Sequence, residues 1–280
     1  MAKHTYNMVK TTKNEKIGFL DSGIGGLTVF RELIHLMPNE SLIYYGDNAN
    51  CPYGNRPREE ILSLTLSMLD FLSEKDIKVC VVACNTISSL IDEYRNRYAF
   101  PIISIIESVV SYLSKLNLKD VGVIATEFTI KTGAYTKAIQ KSSPKTNVHS
   151  VSSKSLAGLV DRGDFESEEI KSEIENLIKN MKTQSPDVKH IILGCTHYGF
   201  VQNVFEKAAS DITFIDPALE QAKAVQTILT ESEKLAKPNE KIYYDIYTSG
   251  EKEVYETLLK KLEIQAQYTI YEKVGHLKNR

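Results

Sequence analysis

The chain has 280 residues, enough for two domains or one large one. Its apolar share of 42% and charged share of 25% are ordinary for a globular chain, which argues against a disordered or fibrous one. A formal net charge of −2, with Lys and Arg scattered, leaves no footprint for nucleic acid or an anionic membrane, and no apolar run approaches the roughly 20 residues that span a bilayer.

Residues 1–16 are polar and lack the apolar stretch of a secretory signal; they are expected to form a mobile extension before the first strand. Strand-like runs follow at 17–20, 42–45, 79–83, 102–106, 121–125, 191–193, 213–215 and 242–247. Several are apolar without alternation, as parallel strands covered on both faces are. Helical stripes lie between them: Ile61, Leu64, Met68 and Leu72 within 59–75, then Ile170, Ile174, Leu177, Ile178 and Met181. This alternation predicts an α/β fold with parallel sheets and crossover helices.

Two runs resemble each other. Lys78 to Thr86 and Lys189 to His197 are each strand-like and end on a small residue, then a cysteine, then polar groups. The strand around Gly18 and the strand around Gly122 pair at nearly the same offset. The two correspondences together favour two similar α/β domains, each delivering one thiol, Cys84 or Cys195.

The four cysteines, Cys51, Cys80, Cys84 and Cys195, are expected to be free thiols in a reducing compartment. There is no Cys-x-x-Cys pair and the six histidines show no ligand spacing, so no metal site is expected. Cys80, inside its strand, reads as an inert small hydrophobe. Cys84 and Cys195 sit instead at strand ends, beside Asn85, Thr86 and Thr196, whose side chains and N–H groups suit a carboxylate. A free thiol has a pKa of about 8.5, which nearby donors or an imidazolium lower. His197 stands two residues after Cys195, and Asp21 is placed to serve Cys84. A thiolate facing a thiol is a two-base proton-transfer pair, suited to inverting a carbon centre. A cysteine hydrolase built on Cys195 and His197 is the competing chemistry, but it leaves Cys84 without a task.

Two loops add polar groups. The run Asp21-Ser22-Gly23-Ile24-Gly25-Gly26 follows the first strand. It is neither a dinucleotide fingerprint, because Thr28 stands where the third glycine belongs, nor a P-loop. Its N–H groups suit a small carboxylate. The loop Cys51-Pro52-Tyr53-Gly54 offers a phenol hydroxyl and close backbone approach at Gly54.

At these four places (Asp21-Ser22-Gly23-Ile24-Gly25-Gly26, Pro52-Tyr53-Gly54, Ala83-Cys84-Asn85-Thr86 and Gly194-Cys195-Thr196-His197-Tyr198) the chain resembles the glutamate racemases of the cofactor-independent aspartate/glutamate racemase superfamily. The resemblance runs from Ile17 through nearly the whole chain. It implies two pseudo-symmetric α/β domains, 1–108 plus 219–280 and 109–218, with the substrate in the cleft between them. It implies that Cys84 and Cys195 act on opposite faces of the substrate carbon, assisted by Asp21 and His197 respectively. Ser22, Tyr53, Gly54, Asn85, Thr86, Thr126, Thr129, Thr196 and His197, with Asp21, would contact the amino acid. No pyridoxal phosphate or metal is implied. The resemblance further implies a cytoplasmic enzyme supplying D-glutamate for peptidoglycan, and a homodimer with no nucleic-acid or membrane partner. The alternatives are a racemase of the same fold acting on aspartate or another amino acid, and a weakly active paralog working through a protein partner.

The chain departs from the family pattern at four places. Asp161, after Leu159-Val160, aligns with a usual glutamate supporting the second catalytic pair, and a usual proline before it is missing near Ala157-Gly158. Gly199 stands where proline commonly follows Gly-Cys-Thr-His-Tyr. Ser108-Val109 replaces a common Pro-Gly, and Asp216-Pro217 an Asp-Ser-Gly-like step.

Overall fold

Strands β1 (Lys16–Asp21), β2 (Leu42–Gly46), β3 (Ile77–Val82) and β4 (Ile102–Ser104) are joined in one sheet by β9 (Tyr244–Thr248) and β10 (Tyr268–Tyr271), in the order β10-β9-β2-β1-β3-β4. A second sheet holds β5 (Asp120–Thr126), β6 (Asn147–Ser153), β7 (His190–Gly194) and β8 (Thr213–Ile215), in the order β6-β5-β7-β8. The structure is a computed structural model and describes residues 15–238, 241–264 and 266–275. Of the extension expected over 1–16, residues 1–14 lie outside the described residues, and Lys16 already belongs to β1. All the strand pairings are parallel. The order β2-β1-β3-β4 recurs as β6-β5-β7-β8, strand for strand. The fold is therefore the expected one: two similar α/β units with corresponding topology.

The central strands explain the unbroken apolar runs. Phe19, Val79 and Val81 face a layer with Leu27, Phe30 and Val225, while Leu20, Cys80 and Val82 face another with Met68, Leu69 and Leu72. Both faces are covered, so every position favours an apolar side chain, each fully buried one contributing about 1.5–3 kcal/mol. Cys80 is fully buried in this layer, and burial raises its thiol far above the usual range. The helix Arg58–Ser73 supplies Ile61, Met68 and Leu72 to the second layer; Thr65, with its hydroxyl turned back onto Ile61 O at 2.7 Å, is buried where Leu64 is only half-buried.

Three elements differ from the sequence reading. The edge strands β6 and β10 have no apolar run to betray them: β6 is mostly exposed at its start, and β10 alternates half-buried with exposed. Edge strands see solvent along one side and tolerate polar residues. The strand expected over 102–106 stops at Ser104, because Ser104 caps a helix, Ile105–Leu113, by accepting from the Glu107 N–H at 3.5 Å.

The chain returns to the first sheet through a buried anchor. Lys78 Nζ lies 2.5 Å from Glu40 Oε2 and donates to Lys234 O at 2.8 Å, while Glu40 Oε1 accepts from the Ala236 N–H at 2.7 Å. Both side chains are buried, and their remaining hydrogen-bonding capacity is spent on the returning backbone, as a buried ion pair requires.

Candidate active site

The carboxyl ends of the two sheets face each other, and each ends one strand on a cysteine-bearing loop. On the first sheet, β1 ends at Asp21. Its Oδ1 accepts from the Gly23 N–H at 2.9 Å, so the glycine-rich turn folds back on this carboxylate. Its Oδ2 accepts from the Thr196 hydroxyl at 3.2 Å, across the cleft. Burial pushes Asp21 up to about 6 against the pull of the His197 charge and the donors Gly23 and Thr196.

Cys84 follows β3 and begins the short helix Asn85–Ser88. Its Sγ lies 3.3 Å from Ser22 Oγ. Burial, together with the charge of Asp21, pushes the Cys84 thiol up to about 12, although Ser22 and the Ile87 N–H act the other way. At neutral pH it is held as the thiol. Beside it, Asn85 Oδ1 accepts from the Tyr135 hydroxyl at 2.6 Å, and Asn85 Nδ2 is buried with no partner. Thr86 Oγ1 meets Thr126 Oγ1 at 3.1 Å, and Thr126 meets Thr129 at 2.9 Å.

On the second sheet, Cys195 follows β7, with its Sγ 3.7 Å from His197 Nδ1. His197 Nε2 lies 2.8 Å from Asp161 Oδ1, at the end of the helix Leu156–Asp161. Cys51 donates its thiol hydrogen to Asp161 Oδ2 at 3.4 Å. Burial works against an imidazolium, but the charge and hydrogen bond of Asp161, with the two thiols, outweigh it and hold His197 well above its usual value. Burial would raise Asp161, and His197 more than reverses that, so its carboxyl sits below the usual range. A positive charge therefore faces the cleft on the Cys195 side.

The loop after β2 closes one wall. Tyr53 donates to Asp47 Oδ2 at 2.5 Å, and Ser249 donates to Asp47 Oδ1 at 2.6 Å. Ser22, Cys51 to Gly54, Cys84 to Thr86, Thr126, Ala157 and Cys195 to His197 line a common cavity. Its free space is about 20 Å³, little more than one water occupies. Gly25 shows how tightly the two sheets meet: a Cβ there would lie 2.3 Å from Thr196 Oγ1 and 2.8 Å from His197 Nδ1. Gly25→Ala is expected to cut kcat/KM by about tenfold or more, because it separates these groups from the first sheet. Steady-state kinetics beside a circular-dichroism spectrum checks this; unchanged kinetics would contradict the close approach.

A family model described as Asp/Glu/hydantoin racemase matches residues 17–225. The chain belongs to this family. A glutamate racemase of Bacillus cereus is 36% identical over 240 residues, covering 85% of this chain and 88% of the relative. Among solved structures, a glutamate racemase isoform of Bacillus anthracis superposes with a TM-score of 0.86 at 32% identity, over 93% of this chain and 97% of its own. The glutamate racemase of Francisella tularensis, solved in complex with D-glutamate, gives 0.86 at 30% identity, over 96% and 100%. The resemblance carried by the four motifs is thereby borne out, and with it the expected class of enzyme, an isomerase.

For a racemase-family chain, the structure gathers Ser22, Tyr53, Gly54, Cys84, Asn85, Thr86, Thr126, Cys195, Thr196 and His197 around one cavity. Asp21 and Asp161 stand behind that wall, on Thr196 and on His197. Thr129 also stands behind it, bonded to Thr126 and Thr86. The Tyr53 hydroxyl, offered by the sequence as a polar contact, donates its hydrogen to Asp47. Sequence reasoning missed Cys51 as a partner of Asp161, Tyr135 as the group orienting Asn85, and Asp47 as the anchor of Tyr53. For Cys51 the available signal was its place beside Pro52-Tyr53-Gly54. Two departures from the family pattern touch each other: a Cβ on Gly199 would lie 2.6 Å from Asp216 Oδ2, so the carboxylate occupies space a larger residue at 199 would need. Ser108 sits within a helical turn and donates to Ser104 O at 2.8 Å, where a proline would lack that bond.

Proposed function

We propose that this protein interconverts L-glutamate and D-glutamate by a two-thiol, two-base proton transfer that needs no cofactor. One observation carries the reading: two cysteines, at corresponding strand ends of two matching sheets, line one cavity. In either direction one sulfur, as thiolate, takes the proton from the substrate α-carbon, and the other, as thiol, gives its proton to the opposite face. The electron pair left by the first transfer forms the new C–H bond in the second, so each turnover exchanges the protonation states of the two sulfurs. Cys84 is the acid in one direction and the base in the other. Asp21 and Ser22 serve the Cys84 side, and His197, oriented by Asp161, moves a proton to or from Cys195.

The unpartnered Asn85 Nδ2 and the hydroxyls of Ser22, Thr86 and Thr126 are donors for the substrate carboxylates; Thr196, whose hydroxyl is held by Asp21, Tyr53 and Gly54 shape the wall, and Thr129 holds Thr126 and Thr86. The two domains would be 1–108 plus 219–280 and 109–218, each built on one sheet. The relatives' names support glutamate as the substrate. The wider reading is a cytoplasmic homodimer supplying D-glutamate for peptidoglycan; no helix among the described residues is long and apolar enough to cross a membrane, which agrees with it.

The test is proton NMR of the purified protein with L-glutamate in D₂O, no cofactor added, with polarimetry on the same sample. The α-proton signal and the optical rotation are expected to fall together. Absence of exchange with either glutamate enantiomer would sink the reading, and exchange with aspartate in the same tube would move the assignment to that substrate.

A further inference from the structure

Three metal-ligating side chains from three separate segments meet in the cleft wall, and one of them, Cys51, has no task in the two-thiol reaction. Cys51 comes from the loop after β2, Asp161 from the end of its helix, and His197 from the loop after β7. Cys51 Sγ lies 3.4 Å from Asp161 Oδ2, and His197 Nε2 lies 2.8 Å from Asp161 Oδ1. One ligand atom from each lies within 4.8 Å of the others. A tetrahedral zinc ion, with bonds of about 2.0–2.3 Å, holds its ligand atoms about 3.3–3.8 Å apart. The triad stands close to that spacing.

We propose that Cys51, Asp161 and His197 form a binding site for a thiophilic divalent cation, Zn²⁺ above all, and that the bound ion stops turnover by fixing His197 as a metal-bound neutral imidazole that no longer exchanges a proton with Cys195. A thiolate, an imidazole and a carboxylate suit a borderline-soft ion, whereas Mg²⁺ and Ca²⁺ require oxygen ligands. On binding, Cys51 and His197 Nε2 each release a proton to solvent, and the sulfur and the ring nitrogen take the metal in place of those protons. The Asp161 hydrogen bonds to Cys51 and His197 are replaced by bonds to the ion, which keeps the buried His197 and the half-buried Cys51 and Asp161 satisfied. Three protein ligands leave a tetrahedral ion one further position, for water or a substrate carboxylate. The effect on turnover rests on the racemase reading; the binding itself does not. The sequence showed no ligand spacing because the ligands come from separate segments, and only the approach of the two sheets brings Cys51 to the Asp161–His197 pair.

The experiment is an anaerobic titration of the whole enzyme with Co²⁺, followed by displacement with Zn²⁺. One Co²⁺ per chain is expected, with a thiolate-to-metal charge-transfer band and the intense visible bands of a tetrahedral site. The band is lost in Cys51→Ala and weakened at least tenfold in apparent affinity in Asp161→Asn, a second variant in case the first does not fold. It persists in Cys84→Ser. Zn²⁺ suppresses racemization in wild type, reversed by a chelator, and does so at least tenfold less effectively in Cys51→Ala, each enzyme being compared with its own metal-free rate. Absence of a charge-transfer band in wild type overturns the proposal. So does a band that survives in a folded Cys51→Ala, which would put the ion on Cys84 and Cys195. A wild-type band from a protein that exchanges no glutamate when metal-free sinks the racemase reading and leaves the ion site standing.

Discussion

Cys84→Ser and Cys195→Ser are each expected to lower full racemization by about 10²- to 10⁴-fold, the usual worth of a positioned acid or base. A serine hydroxyl is too weak an acid to give its proton to the carbanion and, unionised, too weak a base to remove the α-proton. Because every turnover needs one sulfur as base and the other as acid, removing either blocks both directions. The two variants should still differ from each other. The surviving thiol can deprotonate the enantiomer that presents its α-hydrogen to that face, then return a deuteron to the same face. Each variant therefore retains solvent exchange with one enantiomer without inversion, and the retained enantiomer is opposite in the two. Following α-proton loss from L- and D-glutamate separately in D₂O checks this. Racemization near the wild-type rate in either variant, or loss of exchange with the same enantiomer in both, would falsify the assignment of one thiol per face.

Asp161→Asn is expected to bring the His197 pKa down to its ordinary 6.5 or below. Burial of the ring opposes the charged form, and the Asp161 carboxylate is the main group overcoming it. The variant should lose up to about 100-fold in kcat/KM, as the imidazole loses both charge and orientation. Asp161→Glu keeps the charge and adds one methylene, so it should leave His197 protonated while changing the rate measurably. The pH dependence of stability follows from the two shifts. His197 is raised in the folded state, so its contribution is complete below the ordinary 6.5 and fades as pH climbs through the raised value. Asp161 is lowered, so its contribution is complete above the ordinary 3.8 and fades as pH falls through the lowered value. Wild type should exceed Asp161→Asn in stability most between those two ordinary values. Urea unfolding across pH, with NMR titration of His197, reads both effects; an unmoved His197 titration in the variant would remove Asp161 from its role.

The repeated architecture was legible because β1, β3, β5 and β7 are buried on both faces, which forces contiguous apolar runs and lets the two halves be matched. The edge strands β6 and β10 were not, since solvent on one side relaxes that demand. Ser104 and Glu107 carried a capping signal just where an apolar run continued into a helix, and burial hid it, as Ile105 and Ile106 are as apolar as a strand would be. Local sequence therefore determined that Cys84 and Cys195 end strands in polar loops and that Cys80 does not. Only the tertiary structure decided what those loops meet: Thr196 on Asp21, His197 on Asp161, Cys51 on Asp161, and the Tyr53 hydroxyl on Asp47. Backbone periodicity is written over neighbouring residues; Thr196 on Asp21 and Cys51 on Asp161 join segments far apart in the chain, and exist only because two sheets bring their carboxyl ends together.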